Sequence, residues 1–171
     1  EAIARGLIEN GCAIATSYPG TPASEILAAV AFYQKENKVC MHTQWAVNEK
    51  IAFEIAYAGC QTGLRTAVAM KQVGLNVASD PLMSAAYMGT VGGLVIISCD
   101  DPGPHSSQTE QDTRFMARLA KVPVFDPSNI RLQEKLRPPL SKPNVETLKS
   151  NGVPTLGIFL FGTDNLGRDV F

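Results

Sequence analysis

The side chains able to do chemistry in this chain fall into four short stretches. The first is "SYPGTPASE", residues 17–25, in which Thr21 precedes Pro22. A threonine ahead of a proline is a natural helix N-cap, with Pro22 as first helical residue. The free N–H groups of a helix start would also receive a carboxylate or a phosphate. The second is "QWAVNEKIAFEIAYAG", residues 44–59, which reads as a helix. At about 100° per residue, Glu49, Ala52, Ala56 and Gly59 share one face of it. An acid at a helix start favours the dipole. In the rival reading the small residues let that face pack against another subunit and bury the acid, and buried carboxylates exchange protons near neutrality. Glu54 lies about 140° away and reads as solvated, with Lys50 as its i,i+4 partner.

The third stretch is "KQVGLNVASD", residues 71–80. Gly74 permits a close backbone approach, and Lys71, Gln72 and Asn76 are polar groups near a strand end. An ordinary strand-to-helix loop with Asn76 as helix cap accounts for the same residues. The fourth is "DDPGPHSSQTEQDTR", residues 100–114, a long polar loop of the kind that often carries function. His105 beside Ser106 invites a nucleophile–base pairing, but sequence neighbours rarely meet in that geometry and there is no G-x-S-x-G elbow. Metal ligation by Asp100, Asp101 and His105 has no specific spacing behind it. Neither G-x-G-x-x-G nor G-x-x-x-x-G-K-[ST] occurs.

The elements that must position these residues alternate. Helices are predicted at 2–10 (stopped by Gly11), 23–37, 44–59, 77–88 and 113–120. Strands are predicted at 12–18, 38–44, 65–70, 92–99 and 122–125. The strands read as continuous apolar runs, the pattern of a parallel sheet covered on both faces. The expectation is a three-layer α/β domain in which the four chemical stretches follow strand carboxyl ends, where ligands gather in such sheets. From Asn129 the chain turns polar, with prolines at 138, 139, 143 and 154, and reads as a linker-like, irregular tail over 129–171.

The bulk numbers agree with a globular chain. It has 171 residues, 45% of them apolar, and a net charge of −1 from 15 basic and 16 acidic residues, which argues against nucleic acid as a partner. The four cysteines form no C-x-x-C pair, so metal ligation has no support. Their scatter fits a reducing, cytoplasmic compartment. No signal peptide and no membrane-length apolar run is present over 1–128. The chain begins at Glu1 rather than Met, which points to a fragment or a processed product.

Taken together, "YPGTPASEI", "WAVNEKIAFEIAYAG", "MKQVGLNVASDPLM" and "VGGLVIISCDDPGPHSSQTEQDTRFMARLAKVP" resemble the indolepyruvate:ferredoxin oxidoreductase alpha subunit family. The resemblance covers about residues 1–128 and implies the pyrimidine-binding domain of the thiamine diphosphate-binding fold. It implies oxidative decarboxylation of an aryl 2-oxoacid, with electrons passing through iron–sulfur clusters to ferredoxin and the acyl group to coenzyme A. By motif position Glu49 is the glutamate that hydrogen-bonds N1′ of the aminopyrimidine ring. Gly74, with Gln72 and Asn76, matches a loop against that ring. Thr21 matches a threonine facing the substrate, and His105, Ser106, Ser107 and Gln108 match a polar loop near the reaction centre.

The chain also departs from that family. The Gly-Asp-Gly segment that holds the diphosphate with Mg²⁺ is absent, as are the cluster-binding cysteine repeats. The expected partners are therefore the remaining domains of the alpha subunit or a second subunit, and alone the chain should turn nothing over. The rival reading is an inactive truncated or fused α/β module with an association role. The final "FGTDNLGRDVF" instead resembles a segment of dipeptide ABC transporter permeases, which implies a junction near residues 127–129.

Overall fold

The computed structural model describes residues 1–99 and 111–125. The chain divides into two compact units, Glu1–Pro123 and Val124–Phe171. Of the second unit only Val124 and Phe125 are described, so the predicted tail lies outside the described residues.

The first unit runs α1 (Ala2–Glu9), β1 (Ile14–Ser17), α2 (Ser24–Glu36), β2 (His42–Trp45), α3 (Glu49–Gln61), β3 (Thr66–Lys71), α4 (Gly74–Val77), α5 (Ser79–Met88), β4 (Leu94–Cys99) and α6 (Arg114–Ala120). The four strands form one sheet in the order β2-β1-β3-β4. Every pairing is parallel, with Ile14 opposite both His42 and Thr66, and Thr66 opposite Leu94. This is the α/β, three-layer, parallel architecture expected from the alternating pattern.

The core lies in two layers, one on each face of the sheet. Ala4, Leu27 and Val30 of α1 and α2 pack with Ala15 and Ala67 on one face. Ala52, Phe53, Ala56, Leu82 and Ala120 pack around Val68 and Met70 on the other. All six residues of β3 are buried, as a central strand requires. Phe53 and Met70 are fully buried, and side chains of that size stabilise a fold by about 1.5–3 kcal/mol each. The sheet is less covered at its flanks than predicted. β2 is mostly exposed, and Val95 of β4 is 50% exposed.

Local signals explain most boundaries. Gly11 takes a left-handed φ of 68°, and its N–H and that of Cys12 close α1 on the carbonyls of Ile8 and Leu7. β2 starts later than predicted because Lys38 turns left-handed at φ 52° and the Val39 N–H returns to Gln34 O at 3.1 Å. α3 starts at Glu49 rather than 44, because Gln44 and Trp45 belong to β2 and Asn48 is the N-cap. The Asn48 side-chain Oδ1 accepts from Ile51 N–H at 2.9 Å. The predicted strand at 122–125 is absent. Val122 N–H instead closes α6 on Ala117 O at 3.0 Å, and Pro123 has no N–H to offer a ladder.

Candidate functional site

In the order β2-β1-β3-β4 the chain leaves β1 for β2 on one side and later places β3 on the other. The switch point therefore lies between the carboxyl ends of β1 and β3, the crevice where parallel sheets bind ligands. The residues following these ends are 18–21 after β1 and 72–74 after β3, with 46–49 after the neighbouring β2.

Glu49 opens α3, where its charge complements the helix dipole, and is half-buried. Gly74 opens α4 and is buried. The two meet. A Cβ at Gly74 would lie 2.6 Å from both Cγ and Oε1 of Glu49 and 2.9 Å from its Cδ. The close approach anticipated at Gly74 is therefore an approach to the Glu49 carboxylate, and any larger residue would displace that side chain. A milder version occurs on the other wall. A Cβ at Gly20 would lie 3.4 Å from Lys71 Cβ, so the turn after β1 rests on the lysine that ends β3.

Gln72 is fully buried. Its N–H donates to Cys99 O at 2.8 Å, tying the end of β3 to that of β4, and its carbonyl accepts from Leu75 N–H at 3.2 Å. Lys71 is 8% exposed. Burial pushes the Cys99 thiol up to about 11, and the neighbouring Ser98 hydroxyl is buried with no hydrogen-bond partner among the described residues.

Three site expectations change. Thr21 is exposed and is not the cap of α2. Ala23 occupies the N-cap without a side-chain bond, and Ser24 closes the turn instead. Its hydroxyl accepts from Gly20 N–H at 2.8 Å, and its own N–H returns to Gly20 O at 2.9 Å. Asn76 does not cap a helix. It lies within α4, and its amide exchanges two hydrogen bonds with Gln111, at 2.8 and 2.7 Å. The small-residue face of α3 is not an intersubunit surface. Ala52 and Ala56 are fully buried against the chain's own sheet, Thr16 Oγ1 donates to Ala52 O at 2.6 Å, and a Cβ at Gly59 would collide with Ile14 Cδ1. The predicted surface pair holds only loosely. Lys50 Nζ is 3.9 Å from Glu54 but 2.7 Å from Asp80, and that carboxylate raises the pKa of Lys50.

His105, Ser106, Ser107 and Gln108 lie outside the described residues, as do Asp100 and Asp101. Among the described residues no cluster of three or more His, Cys, Asp or Glu could hold a metal ion. No helix among them is long and apolar enough to cross a membrane. Sequence reasoning missed three features: the Asn48 cap, the Gly20–Lys71 contact and the Asn76–Gln111 pair. An asparagine directly ahead of an acid and an apolar period was a readable signal for the first. The other two join residues far apart in sequence and had none.

A half-buried carboxylate with a glycine pressed against it therefore stands at the switch point of an all-parallel sheet. The fold is that of the solved 2-oxoglutarate:ferredoxin oxidoreductase from Magnetococcus marinus, matched with a TM-score of 0.59 at 24% identity over 68% of this chain and 20% of that one. In sequence the chain is 47% identical over 133 residues to the indolepyruvate oxidoreductase subunit IorA of Archaeoglobus fulgidus. It is 50% identical over 128 residues to that of Thermococcus kodakarensis. These matches take in 77% and 75% of this chain but 21% and 20% of the relatives, so the chain spans about a fifth of their length. No family model matches.

Proposed function

We propose that this chain is the aminopyrimidine-binding half-site of a thiamine diphosphate-dependent 2-oxoacid:ferredoxin oxidoreductase acting on aryl pyruvates such as indolepyruvate. The single observation that carries the reading is the Glu49–Gly74 contact at the switch-point crevice. The similarity to indolepyruvate oxidoreductase subunits supports the substrate class.

The residues fit the group. Glu49 offers a half-buried carboxylate as a hydrogen-bond partner for a ring nitrogen, and Gly74 leaves it no side chain to contend with. Buried Gln72 fixes the strand end behind them. When bound, thiamine diphosphate supplies the carbon nucleophile and the electron sink for decarboxylation. Glu49 holds the proton at the ring nitrogen, and Gly74 sets where the carboxylate stands. Thr21, on the exposed turn after β1, and the polar loop containing His105, Ser106 and Gln108 face the 2-oxoacid in this reading. The diphosphate, its Mg²⁺, the iron–sulfur clusters, ferredoxin and coenzyme A belong to the rest of the assembly, which is cytoplasmic in this reading.

The test is titration of the chain with thiamine diphosphate, alone and with the rest of an indolepyruvate oxidoreductase supplied in trans. Saturable binding and 2-oxoacid-dependent ferredoxin reduction only in the complemented mixture are expected. In that mixture Glu49→Gln should abolish hydrogen–deuterium exchange at the thiazolium C2. Retained exchange would assign the role to another acid. Absence of both binding and turnover would leave the inactive association module.

A further inference from the structure

α4 is four residues long, too short to hold itself together. Its place must come from outside, and three side-chain contacts contribute to it. Leu75 is 4% exposed and packs with Ala52, Phe53 and Ala56. The Ser79 hydroxyl donates to Asn76 O at 2.8 Å. The third contact is the reciprocal amide pair with Gln111, 35 residues away. Gln111 is itself beside an anchored segment. Asp112 accepts from Arg114 N–H at 3.0 Å and from its guanidinium at 2.8 and 2.7 Å, and α6 ends in Ala120 within the core.

The first residue of α4 is the glycine in contact with Glu49. We propose that the Asn76–Gln111 pair is a positioning device for Glu49, holding α4 at the depth where Gly74 meets the carboxylate. The proposal rests on the reading of Glu49 as the acid that meets the cofactor. It reassigns Asn76 from a cofactor-binding residue to a positioning residue and gives a role to Gln111, which lies in the 100–114 stretch but was assigned none there. The two bonds are reciprocal, so each amide is oriented by the other. Loss of either partner removes both bonds and leaves the turn to Leu75, the Ser79 hydroxyl and the backbone bonds from Leu75 and Ala78 to Gln72 O and Gly74 O.

The test uses the full chain with Asn76→Ala, Gln111→Ala, and the exchanged pair Asn76→Gln with Gln111→Asn. The first readout needs no cofactor: amide hydrogen exchange, and the carboxyl ¹³C resonance of Glu49. Each alanine variant should speed exchange at Leu75, Asn76 and Ala78 by about 3- to 10-fold, as loss of one or two hydrogen bonds allows. It should also shift the Glu49 resonance, while exchange in β3 stays unchanged. The exchanged pair should restore both signals. A uniform rise in exchange, or a Glu49 resonance that does not move, would overturn the proposal. The second readout is thiamine diphosphate affinity in the complemented mixture, expected to weaken about 3- to 10-fold in the alanine variants and recover in the exchanged pair. If the unmodified chain binds no cofactor there, the functional reading fails, yet the first readout still decides the role of the pair.

Discussion

At the scale of single residues, one glycine governs one acid. The atoms that a Cβ at position 74 would strike, Cγ, Cδ and Oε1, all belong to the flexible Glu49 side chain and not to backbone, so they can swing away at small cost. Gly74→Ala should therefore change the melting temperature little and still displace the carboxylate. The expected result in the complemented mixture is a loss of C2 exchange of about tenfold or more, since misplacement by about 1 Å is costly in catalysis. A variant that exchanges normally would show that Glu49 tolerates the shift. The thiols give a second prediction at this scale. Burial raises both Cys12 and Cys99, the latter to about 11 from a usual 9.0. At pH 8 the Cys99 thiolate is then roughly one part in a thousand, and alkylation should strike exposed Cys40 first. Because the folded-state values lie above the unfolded ones, their contribution to stability is complete below pH 9. It should decline as pH rises from 9.0 toward about 11, as thermal melts across that range would record.

Among the elements, α3 carries the acid and is pinned at both ends. Asn48 caps its start at 2.9 Å, and Gly59 lets its end lie on β1. Asn48→Ala should cost about 1 kcal/mol in urea unfolding. Gly59→Ala should cost about 1–3 kcal/mol, because Ile14 and Thr66 stand where the methyl would go. If Gly59→Ala proved neutral, α3 would not be held against the sheet as described. Much at this scale was legible in the sequence. The alternation of apolar runs and helical periods gave the order of elements through β4 except for α4, which falls in the stretch read as a loop, and Gly11 marked the end of α1. Boundaries failed where a nonlocal or turn-level choice decided them. Residues 44 and 45 have helical neighbours in sequence but pair with Thr16 and Ser17. Val122 has strand character, yet its N–H was needed at the end of α6. The small face of α3 was read correctly as a packing face, but periodicity cannot say what it packs against, and the chain's own sheet took the place assigned to a partner.

For the whole molecule, both core layers fall within Glu1–Pro123. Residues 1–123 expressed alone should therefore unfold in one cooperative transition, and absence of a transition in calorimetry would show that Val124–Phe171 is needed for folding. The tail is also tested at the level of the gene. If the resemblance of "FGTDNLGRDVF" to transporter permeases marks a junction, DNA spanning codons 120–140 should reveal a break there, and an uninterrupted reading frame in independent isolates would make the tail native. The Glu49–Gly74 pairing was legible only in part. Each residue could be named from its motif, but their meeting across 25 positions is a product of the sheet order.

That meeting constrains how the chain can change by descent. A bulkier residue at position 74 displaces Glu49 the moment it arises, so selection removes it for as long as the acid has a task. Once the acid is idle, the same mutation costs almost nothing and drifts freely. The two positions should therefore be lost in a fixed order, acid first and glycine second. If Glu49 has the role proposed for it, a lineage that keeps glycine at position 74 should also keep the acid or have lost it only recently.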